Sequence, residues 1–154
     1  MSDHKVCIVQ FPQTRVAVLE HRGAPALIGR SVGRFIAWRK QAHLPPRTNA
    51  TFNILHDDPA ITAPEAFRLD LCVATEGEIA PNQDGIHAKI IPAGRCALLR
   101  SAGSDDRLEE ALTYLYRTWL PASGEELRDF PPVVQRYPEM PESEAVLDIY
   151  MPLE

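Results

Sequence analysis

Hydrophobic positions along the chain follow two rhythms. Short runs rich in apolar and β-branched residues predict strands over 5–9, 15–22, 51–56, 67–75, 86–91, 95–101, 133–137 and 146–152. Leu27, Ser31, Phe35, Trp38 and Ala42 instead recur with the period of one helix face, predicting a helix over 24–42. Leu108, Leu112, Leu115 and Trp119 do the same over 105–119. Pro25 suits a first helical turn, and Ser104-Asp105-Asp106 offers a cap and negative charge to the second helix. Leu44-Pro45-Pro46 and Leu120-Pro121 are expected to end the two helices. In 15–22, Val16 and Val18 take one face and Ala17, Leu19 and His21 the other, so neither face reads as a solvent face.

The pattern occurs twice. Phe11-Pro12-Gln13-Thr14-Arg15-Val16-Ala17-Val18-Leu19 matches Ile91-Pro92-Ala93-Gly94-Arg95-Cys96-Ala97-Leu98-Leu99 at an offset of 80, and Gly23 then matches Gly103. Further on, Ala63-Pro64-Glu65 and Leu69-Asp70-Leu71-Cys72-Val73 match Met140-Pro141-Glu142 and Leu147-Asp148-Ile149-Tyr150-Met151, with the offset slipped to 77 or 78. Ordered matches of this kind mark a duplication. The expected fold is therefore α+β: two strand-helix-strand-strand units, about 5–76 and 86–154, sharing one domain and joined by the polar stretch Gly77–Gly85.

Composition narrows the chemistry. An apolar content of 45% suits a globular core, and the fourteen prolines fall between elements and form no tract. A net charge of −5 argues against direct nucleic-acid binding. Arg15, Arg22, Arg30, Arg34, Arg39 and Lys40 read as solvated charges. Cys7, Cys72 and Cys96 sit in apolar runs as small hydrophobes, which with no signal peptide or long apolar span points to the cytoplasm and away from membranes. His4, His21, His43, His56 and His87 have no ligand spacing, and no phosphate loop or nucleophile elbow is present, so no metal or cofactor is expected. Asp57-Asp58 before Pro59 reads as a turn. Trp38 and Trp119, at matched places on the two helices, are either core anchors or aromatic walls facing across a groove.

The stretches His56-Asp57-Asp58-Pro59, Pro64-Glu65, Leu69–Val73, Pro132-Val133-Val134-Gln135-Arg136-Tyr137 and Leu147–Pro152 resemble, in their order, the GyrI-like small-molecule-binding family. That family includes effector-binding domains of AraC-type regulators and stand-alone DNA gyrase inhibitors. The resemblance implies pseudo-twofold symmetry, an antiparallel sheet and two helices bordering a groove for bulky apolar ligands. It also implies a buried glutamate two residues before the tyrosine matched by Tyr137; here that position is Gln135, and Asn53 is expected to be its first-copy mirror. Leu55 stands where the first copy commonly has an aromatic. The expected ligand residues are thus Phe35, Trp38, Asn53, Leu55, Trp119, Gln135 and Tyr137.

With a carboxamide in place of the carboxylate, the groove is expected to prefer neutral or amphipathic ligands to lipophilic cations. Some relatives hydrolyse strained rings with that carboxylate. The remaining acids Glu65, Asp70, Glu142 and Asp148 are expected at loops and strand edges, so no catalytic residue is assigned. The leading expectation is a receptor for a hydrophobic small molecule. The alternatives are a regulator of a protein partner such as DNA gyrase, or a hydrolase of a reactive apolar compound.

Overall fold

The computed structural model describes residues 5–102, 105–138 and 146–154; Gly103, Ser104 and the Met140-Pro141-Glu142 match lie outside the described residues. Every expected strand forms close to its expected bounds: β1 (Val6–Phe11), β2 (Thr14–Arg22), β3 (Thr51–Leu55), β4 (Arg68–Ala74), β5 (His87–Ile91), β6 (Gly94–Ala102), β7 (Val133–Arg136) and β8 (Val146–Pro152). They make one antiparallel sheet in the order β1-β6-β8-β7-β3-β4-β2-β5. Replacing each strand by its counterpart in the other half reverses this order onto itself. A pseudo-twofold axis therefore passes between β7 and β3.

Each β-α-β-β unit is preceded by one further strand, and that strand is exchanged. β1 pairs with β6 of the second half, and β5 pairs with β2 of the first. Thr14 lies opposite Ile91 and Gly94 opposite Phe11, the same pairing carried 80 places along the chain. Pro12 and Pro92 thus sit in crossings between halves, where the missing N–H breaks no ladder.

The repeated motif has a structural reason at each position. Ala17 and Ala97, with Leu19 and Leu99, are 0–1% exposed and lie in the two clusters beneath the helices. Arg15 donates to the carbonyls of Thr75 and Gly77 just beyond β4, at 2.9 and 2.7 Å. Arg95 donates to the Glu154 carbonyl just beyond β8, at 2.9 Å, and pairs with Glu125. The same arginine ties down the end of the last strand in each half.

Both helices lie on one face of the sheet. A 3₁₀ turn at Pro25–Leu27 leads into α1 (Ile28–Ala42), which buries Ser31, Phe35 and Arg39 and ends with His43 in a left-handed conformation. His21 joins β2 to this helix: its Nε2 lies 3.1 Å from the Ala24 carbonyl and its Nδ1 2.7 Å from Ser31 Oγ. The second helix runs as α2 (Asp105–Thr113), a π-helical turn over Tyr114–Trp119 and a final turn, α3 (Leu120–Ser123), before Gly124 at φ 77°. It therefore passes through Pro121, where a stop was expected. A proline ring clashes with the carbonyl four residues back, and the wider π turn directly before it gives that carbonyl room. The opposite face closes on itself: Phe11, Val16, Val18, Phe52, Ile54, Cys72, Ile91, Cys96 and Val133 form one buried cluster, with Phe11 edge-on to Tyr150 at 4.9 Å between ring centroids.

Asp70 and Asp148 correct a second expectation. They lie within β4 and β8, 0% and 3% exposed, and not at strand edges. Asp70 contacts His56 at 2.8 Å, Lys89 at 3.0 Å and Arg22 at 3.0 Å. Asp148 accepts from Arg100 at 2.7 and 3.0 Å and from the Tyr137 hydroxyl at 2.7 Å. His56 and Tyr137 thus play equivalent parts, so His56, and not Leu55, holds the first-copy aromatic position. Burial alone would raise the Asp70 carboxyl, but His56, Lys89 and Arg22 outweigh it and hold the group at about 2. Asp148 is lowered in the same way by Arg100 and Tyr137 against its burial.

A carboxyl whose pKa is depressed by folding stabilises the protein above its unfolded pKa and loses that contribution as pH falls through its folded one. Stability should therefore decline between about pH 5 and pH 2, with Asp70 accounting for about 2 kcal/mol. Denaturant midpoints measured across this range should fall less steeply for Asp70→Asn than for the native chain. Parallel acid limbs would contradict the assignment.

Candidate ligand cavity

A cavity of about 960 Å³ opens between α1 and the sheet. One wall is α1 itself, presenting Ile28, Val32, Phe35 and Ile36. The floor is Asn53 from β3 with Leu69 and Leu71 from β4, and residues 44–48, Arg136 and Pro138 also line the cavity. Its size falls in the range of small-molecule pockets, and its walls combine a large apolar area with a few polar groups.

Strand register decides which side chains reach this space. β3 and β7 pair antiparallel with Phe52 opposite Gln135 and Asn53 opposite Val134. Directly opposed residues share a face and neighbours along a strand alternate. Asn53 therefore faces the helices, whereas Gln135 faces the closed inner cluster, where the Tyr150 hydroxyl lies 3.5 Å from its Oε1. The expected Asn53–Gln135 mirror pair is not formed. Tyr137 follows Gln135 to the inner side and bonds Asp148.

Of the seven residues expected from sequence, Phe35 and Asn53 line the cavity. Trp38 stacks on Phe35, 6.1 Å between centroids and 11° between planes, and supports the wall from behind. Leu55 packs against both helix clusters, and Trp119 packs against the cluster under α2 and is not part of the cavity lining. Gln135 and Tyr137 lie on the other face. The structure thus makes Trp119 a core anchor, and the two tryptophans do not face one another.

Arg39 and Arg136 were the residues that sequence reasoning missed. Arg39, read as a solvated charge, is 7% exposed. Its Nε donates to the Leu44 carbonyl at 2.8 Å, its Nη2 to the Asn49 carbonyl at 3.2 Å and its Nη1 to Thr51 Oγ1 at 2.8 Å. Its guanidinium also lies 6.0 Å from the Phe35 ring centroid. Arg136 sits opposite Thr51 in the ladder and donates its Nε to Asn53 Oδ1. The available signal was Arg39 falling four residues after Phe35, on the same helix stripe.

The reactive groups near the cavity are few among the described residues. Cys72, from β4, is fully buried, and burial pushes its thiol well up. No group of His, Cys, Asp and Glu among the described residues could hold a metal ion. Asp58, as expected of a turn residue, accepts from the Ala60 amide at 2.8 Å, and Asp57 pairs with Arg68 at 3.0 Å. No described helix is long and apolar enough to cross a membrane.

The GyrI-like small molecule binding domain model matches residues 4–154. The chain belongs to this family. It is 39% identical over 153 residues to the probable transcriptional regulator YgiV of Escherichia coli K12, covering 96% of this chain and 95% of that protein. Among solved structures, the C-terminal domain of EcmrR superposes with a TM-score of 0.77 at 17% identity, covering 99% of both chains. SAV2435, solved with tetraphenylphosphonium bound, superposes with a TM-score of 0.62 at 8% identity, covering 97% of this chain and 94% of that one. These last two share the fold of this chain.

The site makes one prediction about stability. Arg39 clamps residues 44–51 to α1 through three partly buried hydrogen bonds, and removing a buried charged donor leaves its acceptors without that partner. Arg39→Met should destabilise the fold by about 2–4 kcal/mol in urea unfolding. A loss within about 0.5 kcal/mol would show that the clamp is not made.

Proposed function

We propose that this GyrI-like domain is a receptor that binds a bulky hydrophobic small molecule in the cavity beneath α1, so as to sense or sequester it. The carrying observation is the cavity itself: about 960 Å³, walled by Ile28, Val32, Phe35, Ile36, Leu69 and Leu71. A ligand burying those side chains removes apolar area from water at roughly 25 cal/mol per Å². The regulator name of the E. coli relative supports sensing. Regulation of a protein partner such as gyrase would use an outer surface and not this cavity.

The neutral probe 1-pyrenebutanol tests this reading. Its emission should report transfer to an apolar site, and saturation at 100 times Kd should stabilise the fold by about 2.7 kcal/mol. Ile36 is 47% exposed, so Ile36→Ala should leave the fold intact while weakening binding severalfold. Phe35→Ala should weaken it about tenfold or more. Loss of binding in Trp119→Ala, with Ile36→Ala and Phe35→Ala unaffected, would move the site elsewhere.

A further inference from the structure

We infer that the ligand carries no polar group into the depth of the cavity. It is a molecule with an uncharged apolar body and at most one polar end, held with that end at the solvent-facing rim. This rests on the cavity being the ligand site and names the ligand class for it. The polar residues of the lining fall into two sets. Lys40, His43, Arg47 and Thr48 are exposed and form the rim. Arg39, Thr51, Asn53 and Arg136 are buried or half-buried and lie deeper.

The deeper set is paired within itself. Arg39 Nη1 donates to Thr51 Oγ1 at 2.8 Å, and Arg136 Nε donates to Asn53 Oδ1. Thr51 and Asn53 alternate onto the same face of β3, so both pairs are anchored on one stretch of strand. The same side chains also bond backbone. Arg39 Nε and Nη2 donate to the Leu44 and Asn49 carbonyls, and Asn53 Nδ2 to the Asp70 carbonyl at 3.3 Å. Around them the lining is apolar, and Phe35, Leu69 and Leu71 are 5–9% exposed.

A ligand oxygen or nitrogen brought to this depth has either to break one of those bonds or to go without a partner. Both outcomes forfeit the hydrogen bond that the group made in water. An apolar body asks for no such exchange: it fills the space between Val32, Phe35, Leu69 and Leu71 and leaves the polar network intact. At the rim a polar or charged head stays in water, where its contacts with exposed side chains add little. Gln135 has no part in this selection, because it faces the other side of the sheet. The preference for an uncharged body thus comes from lining residues that already hold one another, and not from the carboxamide at 135.

The test titrates the full chain with 1-hydroxypyrene, pyrene-1,6-diol, 1-pyrenebutanol and 1-pyrenebutyrate, read by pyrene emission. 1-Hydroxypyrene can leave its hydroxyl at the rim, whereas the diol has hydroxyls at opposite ends and must bury one. The diol should bind about tenfold or more weakly than 1-hydroxypyrene. Any advantage of pyrenebutyrate over pyrenebutanol should fall to within about twofold when Lys40→Gln and Arg47→Gln are combined, because the tethered head reaches only the rim. Both positions are exposed, so the combined variant should melt as the native chain does. A diol that binds as tightly as 1-hydroxypyrene, or a pyrenebutyrate advantage that survives the combined variant, would place ligand polar groups among the deeper residues. Either result would overturn the inference and leave the hydrophobic site standing. Failure of 1-hydroxypyrene and 1-pyrenebutanol to bind would overturn the site itself.

Discussion

The pairing of β3 with β7 across the pseudo-twofold axis is the constraint on which the rest depends. Four residue pairs, from Thr51 opposite Arg136 to Ile54 opposite Val133, join two half-sheets into one. They also fix which side chains point at the helices. A slip by one residue would exchange the faces of a whole strand, sending Gln135 to the cavity and Arg136 to the inner cluster. The buried valines at 133 and 134, on opposite faces with 2% and 0% exposure, bind the strand to both cores.

Around that axis the frame is symmetric and the chemistry is not. Strand exchange, the arginine at the end of each half and the two buried aspartates all appear twice. Their partners have diverged: Asp70 is held by a histidine, a lysine and an arginine, Asp148 by an arginine and a tyrosine. The helices diverge further. Trp119 packs beneath the second helix into a filled cluster, while Trp38 leans on Phe35 and leaves room below the first. Duplication supplies a stable scaffold, and unequal packing in one half supplies a cavity.

Much of the fold was legible in the sequence because the duplication prints the same solution twice. Pro12 and Pro92, Arg15 and Arg95, and Ala17 and Ala97 align without gaps, and each pair does the same job. Asp70 and Asp148 marked the last strands correctly, although an aspartate within an apolar run gives no sign that it is buried with partners. The site was less legible. β3 and β7 are four or five residues long and share no motif, so the offset between them could not be read from spacing. A one-residue error there paired Asn53 with Gln135 and Leu55 with an aromatic position, whereas the register puts Gln135 and Tyr137 on the face opposite Asn53. Arg39 was missed for a different reason: a charged residue on an apolar stripe reads as solvent-facing until its three acceptors are seen.

Backbone amide shifts measured during titration with 1-pyrenebutanol test the central claim most directly. The account predicts that perturbations concentrate on 28–44, 47–53 and 69–71 and at Arg136, with little change at Gln135, Tyr137 and Tyr150. Shifts centred on those last three residues, or on the cluster around Trp119, would contradict the β3–β7 register as the determinant of the site and the cavity beneath α1 as its location.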